Sequence, residues 1–462
     1  MFSKETYIKR RNELKKRIGK GLLLFLGNDE SGMNYADNTY TFRQDSTFLY
    51  YFGLDHAGLC AMIDIDNDKE IIFGNELTID DIVWMGTQPT LVERSAEVGI
   101  SETMPLCKMA DYINEAKKQG QTIHHLPPYR GDHKLMFQEL LGIAPAQQAS
   151  SSSVEFITAV AEMRNHKSEE EIAMIEEAVD ISIDMHVKAM QMVRPGMKEY
   201  EIAAAVTQVA QSNGGDLSFP VIATINGQTL HNHNHSNTIH EGQMLLLDAG
   251  AENAMHYSGD LSSTMPVGQH FTERQKTIYN ILLNAHQAAA AALKPGVDFR
   301  DIHILAATKI CEGLKGLGLV KGNPEEIART GAYAIFFPCG LGHLMGLDVH
   351  DMENLGEVYV GYGGKPKSTQ FGFKSVRLGR PLEPGFVLTV EPGIYFIPEL
   401  IDKWRAEKQY TDFLCYDEID KWRDFSGIRN EEDYLITADG ARRLGTKVKP
   451  MTIEEVEAQK NI

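Results

Sequence analysis

The length, composition and charge of the chain limit what it can be. Its 462 residues are 43% hydrophobic, and 64 acidic against 45 basic side chains give a formal net charge of -19. This length predicts two or three domains with cores of their own. The negative charge argues against a nucleic-acid partner, because phosphate binding needs a positive surface. The apolar runs stay far below the ~20 residues of a membrane span, so no membrane partner is expected.

The five cysteines indicate the compartment. Cys60, Cys107, Cys311, Cys339 and Cys415 are far apart, odd in number and form no CxxC pair. That pattern argues against a disulfide framework and against a zinc–thiolate site. The basic first residues lack the apolar core of a signal peptide. We therefore expect a cytoplasmic location.

The first 150 residues predict a separate α/β unit. A basic helix over 7–17 leads into short apolar segments that Gly, Asp and Asn divide, which is the pattern of strands. The predicted strands are 21–26, 48–52, 59–65 and 70–73. The stretch 144–153 contains a proline, glutamines and four serines without periodicity. It is the predicted junction to a second domain over 151–462.

The second region shows an internal duplication. A capping box at Ser168 begins a long amphipathic helix, which the Pro-Gly pair at 195–196 ends. The same order of helix, Pro-Gly pair and helix recurs around 295–296. A second repeat relates 242–248 to 385–391, since each is a glycine, a mostly apolar run and a final carboxylate. Two repeats in the same order predict two related half-domains around a shared centre.

Acidic residues lie at the ends of the predicted strands of this region. Asp248 ends an apolar strand, and Asp260 lies on the strand that returns from it, so a hairpin brings the two carboxylates side by side. Glu391 ends a later apolar strand, and Glu431 lies in an acidic cluster before another. Taken singly, each has an ordinary interpretation as a turn or surface acid.

Two histidines follow the first pair of carboxylates along the chain and are candidates for a nitrogen ligand. His343 and His350 are seven residues apart in a Gly-rich apolar stretch, where a core histidine is the ordinary interpretation. With His343, the four carboxylates form a set of five ligands that balances the charge of two divalent metal ions. Oxygen-rich ligation without thiolate favours Mn²⁺, with Co²⁺, Fe²⁺ or Zn²⁺ as alternatives. Two such ions activate water and polarise a carbonyl together, which is the chemistry of hydrolysis.

Five segments in order resemble the pita-bread metallopeptidases. They are LLLDAG, SGDLSSTMPV, GLGHLMGLDVHD, VLTVEPGIYF and GIRNEEDYLIT, within a match over about 155–445. The segments at 40–46 and 83–86 are similar to the proline-specific branch, prolidase and aminopeptidase P. The resemblance implies an α/β (α+β) fold class. It places an N-terminal creatinase-like α/β domain over 1–150 and a pseudosymmetric pita-bread catalytic domain over 151–462.

The resemblance also implies an activity and a role for each metal ligand. The activity is dinuclear-metal hydrolysis of the Xaa-Pro peptide bond in small proline-containing peptides. Asp248 would chelate one metal ion, and Asp260 and Glu431 would bridge both. His343 and Glu391 would hold the second ion.

Further residues match the catalytic positions of the family. His231 matches the histidine that faces the substrate, and His350 the one beside the scissile carbonyl, where it stabilises the tetrahedral intermediate. Glu391 matches a proton shuttle as well as a ligand. Arg429 matches the arginine that braces the site from behind the ligands. The run of histidines that starts at His231 is more typical of a solvated loop than of a separate metal site.

Two features favour a dipeptidase over an aminopeptidase. Arg377 matches an arginine that lies near the substrate's C-terminal carboxylate in prolidases, and the long insert at 399–426 is also similar to prolidase. A fixed carboxylate clamp selects dipeptides, because a longer substrate has no charge there. Arg380 is a rival for this role, and a surface arginine is the ordinary alternative. Aminopeptidase P therefore stays the alternative activity.

The pita-bread fold also serves functions different from peptide hydrolysis. A catalytically dead copy of the fold would act as a binding module, but such relatives lose ligands, and all five ligands are present in this chain. A creatine-hydrolase relative would not need the full ligand set. The complete set therefore favours the peptidase.

Two further positions bear on the active site and on assembly. Cys339 stands where the family usually has a histidine, and we interpret it as a small buried residue. In the family, the region of Trp84 approaches the active site of a partner subunit, so a homodimer is expected. An ordinary packed tryptophan is the alternative at this position.

Overall fold

The computed structural model describes residues 1–461 and divides into two compact units. The first unit comprises Met1–Met163 and Met352–Tyr359, and the second comprises 164–351 and the described residues from 360 onward. Both contain helices and sheets, as the α/β (α+β) class predicts. In the part of the chain described, no helix is both long and apolar enough to cross a membrane. The domain boundary at residue 150 stays a prediction.

The first unit is built on a five-stranded mixed sheet with strand order β4-β3-β2-β1-β5. Alternate residues of β1 to β3 pack against α5 and α6 in one apolar core. The elements are α1 Lys4–Ile18, β1 Leu22–Leu26, α2 Ser46–Phe52, β2 Cys60–Asp64, β3 Lys69–Phe73, α3 Ile79–Met85, α4 Leu91–Glu97, β4 Glu102–Met104, α5 Met109–Lys118, β5 Ile123–His124, α6 Gly131–Leu141, α7 Pro145–Gln148 and α8 Val154–Asn165.

The predicted strand over 48–52 is wrong, because this segment is part of the helix α2. The Asp45 side chain caps the helix by accepting a hydrogen bond from the Phe48 N–H at 2.8 Å. Gly53 ends it in the left-handed conformation with φ 62°. Every residue of α2 is buried, so its apolar run has no helical period to distinguish it from a strand. The predicted helix over 7–17 and the other three strands are confirmed, each within a few residues.

The second unit holds two three-stranded sheets, β10-β8-β7 and β11-β14-β15, and two strand pairs, β12-β13 and β6-β9. The elements are α9 Glu169–Met192, α10 Glu199–Ser212, β6 Asp216–Leu217, β7 Ile222–Thr224, β8 Met244–Ala249, β9 Ala251–Glu252, β10 Leu261–Pro266, α11 Glu273–Ala292, α12 Phe299–Gly316, α13 Pro324–Thr330, α14 Glu357–Val360, β11 Val387–Val390, β12 Gly393–Tyr395, α15 Pro398–Ala406, α16 Tyr416–Ile419, β13 Gly427–Arg429, β14 Glu432–Ile436, β15 Ala441–Arg443 and α17 Ile453–Ala458. Most of α14 belongs to the first unit.

The internal duplication is confirmed in the hydrogen bonds of the second unit. The first Pro-Gly pair lies between α9 and α10, and the second between α11 and α12. Gly196 donates its N–H to the carbonyl of Ile239, and Gly296 donates to Leu382 in the same way. Equivalent β-bridges follow, Lys198 with Thr238 and Asp298 with Pro381. Each half therefore delivers one apolar strand, β8 or β11, to the centre of the unit.

Candidate metal centre

The first half-domain contributes two carboxylates through the hairpin of β8 and β10. Asp248 lies near the end of β8, directly opposite Ser262 of β10. Asp260 immediately precedes β10, and its N–H donates to Asp433 at 3.1 Å. Both side chains are buried, with 8% and 5% of Asp248 and Asp260 exposed. The predicted hairpin is confirmed, and its register brings the two acids to the same edge of the sheet.

The second half-domain repeats this arrangement with glutamates. Glu391 directly follows β11, and Glu431 directly precedes β14, where Val390 pairs with Glu432 across the strands. Glu391 stands 143 residues after Asp248, the same spacing that separates Gly385 from Gly242. The duplication therefore explains why two acids from each half meet at the centre.

His343 reaches the carboxylates from a segment that runs beside β11. The Thr389 N–H donates to the His343 carbonyl at 3.0 Å, and the Glu391 N–H donates to Leu341 at 2.7 Å. The His343 Nδ1 lies 3.1 Å from the carbonyl of Leu344, which assigns the proton to Nδ1. Its Nε2 then faces the Asp260 carboxylate at 3.3 Å and that of Glu391 at 3.7 Å.

Asp260, His343 and Glu431 form a group that can hold a metal ion. One ligand atom from each lies within 4.8 Å of the others, and all three side chains are buried. Across residues 1–461 this is the one such group of histidine, cysteine and acidic side chains. The histidine run at 231–235 forms none, and His235 Nε2 instead lies 3.0 Å from the Val221 carbonyl.

The charges of the site fit divalent cations. Burial raises the pKa of Asp260, Glu391 and Glu431 well above the usual range, and the neighbouring carboxylates raise it further. Asp248 Oδ1 is buried and has no hydrogen-bond partner among the described residues. Uncompensated buried carboxylates are costly unless they are paired or bind a metal. An unsatisfied oxygen, crowded acids and an imidazole lone pair suit hard divalent ions.

The Arg429 guanidinium donates hydrogen bonds to three side chains of the site. Its Nη2 donates to Asp248 Oδ2 at 2.5 Å, its Nε to Ser262 Oγ at 2.9 Å and its Nη1 to Tyr395 Oη at 2.8 Å. Ser262 Oγ donates in turn to Glu431 Oε2 at 2.7 Å. The sequence analysis missed Tyr395 as a partner. No sequence motif indicated the contacts of Ser262 either.

The acids open into a cavity of about 560 Å³ within the second unit. Its lining includes every predicted site residue, namely His231, Asp248, Asp260, His343, His350, Arg377, Glu391, Arg429 and Glu431. The rings of His343 and His350 lie 4.3 Å apart, edge to face. Desolvation and then Arg429 lower the pKa of His231, which favours its neutral form. The cavity therefore joins the acids to the three predicted histidines and to two arginines.

Arg380 and Cys339, the two other positions that the sequence raised near the site, differ in their contacts. Arg380 Nη2 donates to Glu383 at 2.6 Å, and its guanidinium faces the Phe386 ring at 5.3 Å. The thiol of Cys339 lies on the cavity wall, 4.0 Å from Tyr395 Oη. Burial raises the pKa of this thiol to about 12, so at neutral pH it is not a thiolate ligand.

Comparisons with known proteins identify the class. The model of metallopeptidase family M24 matches residues 173–438, and that of the aminopeptidase P N-terminal domain matches residues 7–124. Together with the buried acids and histidine, these matches define a metallopeptidase. The chain belongs to metallopeptidase family M24. The predicted family and fold class are thereby confirmed.

The similarity to individual relatives extends over nearly the whole chain. The chain is 30% identical to Xaa-Pro dipeptidase of Homo sapiens over 95% of its own length and 88% of the relative's. It is 28% identical to a probable Xaa-Pro aminopeptidase of Metarhizium acridum, covering 92% and 88%. The solved structure of proline aminopeptidase P II from Yersinia pestis matches with a TM-score of 0.82 and 25% identity over 100% of both chains. Relatives with either activity are therefore similar to this chain along almost its full length.

Proposed function

We propose that this metallopeptidase hydrolyses the Xaa-Pro bond of dipeptides with two divalent metal ions. The observation that supports this most is the single cavity that contains four carboxylates, four histidines and Arg377. Its volume of about 560 Å³ is within the range of small-ligand sites. The names of the human and fungal relatives supply the Xaa-Pro substrate class.

The five ligands divide between two ions in this proposal. Asp248 would hold one ion, Asp260 and Glu431 would be shared by both, and His343 and Glu391 would hold the other. His343 Nε2 lies 3.3 Å from the Asp260 carboxylate and 3.7 Å from that of Glu391. These short distances support one ion held jointly by the three side chains. Oxygen-rich ligation favours Mn²⁺, with Co²⁺, Fe²⁺ or Zn²⁺ as the alternatives. When bound, the ions supply Lewis acidity that activates water and polarises the scissile carbonyl.

The chain's own residues complete the chemistry. His350 lies against His343 on the cavity wall, where its N–H can stabilise the oxyanion of the tetrahedral intermediate. His231, with its lowered pKa, faces the substrate as a neutral imidazole. Glu391 lines the cavity and carries the proton from water to the leaving proline nitrogen. Arg429 keeps Asp248 oriented by the bond at 2.5 Å.

Arg377 supports the preference for dipeptides. It lines the cavity, whereas Arg380 is engaged by Glu383 and Phe386. A guanidinium at the far end of the substrate binds the C-terminal carboxylate that a dipeptide places there. A tripeptide places a neutral amide at the same point. An aminopeptidase P would prefer the longer substrate, and that activity stays the alternative.

The test compares an Xaa-Pro dipeptide with an Xaa-Pro tripeptide in Mn²⁺-loaded protein. We expect kcat/KM to be higher for the dipeptide, and Arg377→Gln to raise the dipeptide KM by about 10-fold or more, the size of a lost charge-assisted bond. Arg380→Gln is the matched control and should leave this KM unchanged. A resistant dipeptide beside a cleaved tripeptide would establish the aminopeptidase instead. Protein that binds no divalent metal and hydrolyses neither would be a binding module.

We also infer a cytoplasmic homodimer. The side chains of Ile79, Val83, Trp84 and Met85 on α3 are more than half exposed, and Trp84 reaches 88%. The alternative of a tryptophan packed within its own chain is therefore wrong. Clustered exposed apolar residues of this kind are typical of a protein interface. The scattered cysteines support the reducing compartment.

The oligomer can be tested at α3. We expect sedimentation of the wild-type protein to give a dimer, and Trp84→Ser to shift it toward monomer by removing a large apolar contact. Tyr129→Ser, at another exposed aromatic of the first unit, is the control and should leave the dimer intact. A wild-type monomer at all concentrations would contradict the inference.

A further inference from the structure

A buried lysine lies directly behind the candidate metal centre. Lys449 has no exposed surface, and its Nζ donates to the carbonyl of Ser262 at 2.6 Å and to that of Glu431 at 2.7 Å. It belongs to the segment after β15, which is anchored where the Leu444 N–H donates to the Asp433 carbonyl at 2.8 Å. Nothing in the sequence motifs distinguishes this lysine.

The two carbonyls that Lys449 holds belong to different half-domains. Ser262 lies on β10, two residues after Asp260, whereas Glu431 precedes β14. The same residues are joined by two further bonds, from the Glu431 N–H to the Ser262 carbonyl at 3.1 Å and from Ser262 Oγ to Glu431 Oε2 at 2.7 Å. Lys449 therefore sits at the junction where the halves bring the Asp260 and Glu431 carboxylates together.

The charge of the lysine also suits this position. Burial lowers the pKa of Lys449 to about 8, and the charges of Glu432, Glu431 and Asp433 offset part of this desolvation. A buried ammonium persists only where hydrogen bonds and opposite charges offset its desolvation. Lys449 is not part of the cavity lining, so it does not touch a substrate there. Any effect on the reaction must pass through the carboxylates it positions.

We propose that Lys449 is a positioning residue that sets the spacing of the Asp260 and Glu431 carboxylates and thereby the affinity for the second metal ion. The proposal rests on the bridging roles given to these two acids under the proposed function. A bond to each backbone prevents the two strands from moving apart when the carboxylates repel one another. Without it, the acids relax to a wider spacing that fits a pair of cations poorly.

The test measures metal binding directly. Metal-free wild-type, Lys449→Met and Lys460→Met proteins are titrated with Mn²⁺ by calorimetry, and bound metal is counted after desalting. Lys460 is the matched control, since its Nζ also donates to a backbone carbonyl, that of Val193 after α9, at 3.3 Å. We expect Lys449→Met to bind the second ion at least about 10-fold more weakly, within the range for changes around a metal site. Lys460→Met should bind two ions as the wild type does.

Kinetics separate positioning from a general structural role. Lys449→Met should show a lower kcat at limiting Mn²⁺ that excess Mn²⁺ restores, with peptide KM changed less than about twofold. A lowered melting temperature with unchanged Mn²⁺ affinity would overturn the proposal. If Lys449→Met does not fold, the titration is repeated with Lys449→Leu, which also removes the donors, and wild-type affinity in that variant would overturn the proposal equally. Failure of both to fold in the presence of Mn²⁺ would assign a folding role instead.

This outcome is distinguishable from failure of the proposed substrate. Metal stoichiometry and affinity are read without any peptide. If the wild-type protein binds two Mn²⁺ ions but cleaves no Xaa-Pro peptide, the substrate proposal fails while the Lys449 result still stands or falls on its own titration.

Discussion

Replacing Asp260 with alanine is expected to abolish turnover of an Xaa-Pro dipeptide. The side chain lies 3.3 Å from His343 Nε2 and within the group that includes Glu431. In the proposed arrangement it contacts both ions, so its loss leaves each under-ligated and lets the pair separate. The fall in kcat should exceed the roughly 10–100-fold that loss of an outer-sphere partner causes. Initial rates at saturating Mn²⁺ measure it.

The companion variant Glu431→Ala should behave in the same way, because the proposal gives it the second bridging carboxylate. Asp417→Ala is the matched control, since that side chain is fully exposed on α16. It should retain wild-type activity and metal content. Substantial turnover in either Asp260→Ala or Glu431→Ala would refute the bridging assignment. Loss of only one bound ion, with activity kept, would point to a mononuclear enzyme.

Replacing Arg429 with methionine is expected to destabilise the metal-free protein strongly. The guanidinium is 3% exposed and bonds to Asp248, Ser262 and Tyr395. Its removal leaves the buried Asp248 carboxylate without a cationic partner, which costs about 3–5 kcal/mol for a broken buried ion pair. Saturating Mn²⁺ should reduce this deficit, because bound cations replace the lost positive charge. Thermal melting with EDTA and with Mn²⁺ measures both values.

A surface arginine gives the comparison for this variant. Arg274 forms an ion pair with Asp424, whose side chain is 75% exposed. Arg274→Met should therefore change the free energy of unfolding by no more than about 1 kcal/mol, with or without metal. If Arg429→Met were as mild as this control in EDTA, the ion pair with Asp248 would not stabilise the apo site. A deficit that is equal with and without Mn²⁺ would separate Arg429 from the metal centre.

The sequence predicted the strands and the acids at their ends for a physical reason. An apolar run such as 244–247 can only be a buried strand or helix, and a carboxylate directly after it needs a partner. The repeated order of glycine, apolar run and acid then indicated that Asp248 and Glu391 are equivalent. Periodicity was insufficient for α2, because burial on all sides removes the alternation by which a strand differs from a helix.

The residues that contact the site from distant parts of the chain could not be predicted from the sequence. Tyr395 on β12 and Lys449 after β15 lie in no chemical motif, and each contacts the site through residues far away in the chain. Asp433, two residues after Glu431, is buried and accepts the Asp260 N–H. Such contacts depend on the packing of the two half-domains, and no local pattern encodes them.

The sequence by itself determined the class of this protein, its duplicated catalytic region and the identity of the acids and histidines, because these depend on residue type, spacing and order. The tertiary structure decided which oxygen of Asp248 is left for a ligand, that Arg377 rather than Arg380 faces the cavity, and that a buried lysine joins the halves. These are matters of distance and orientation between strands, which are settled only when both halves pack around one centre.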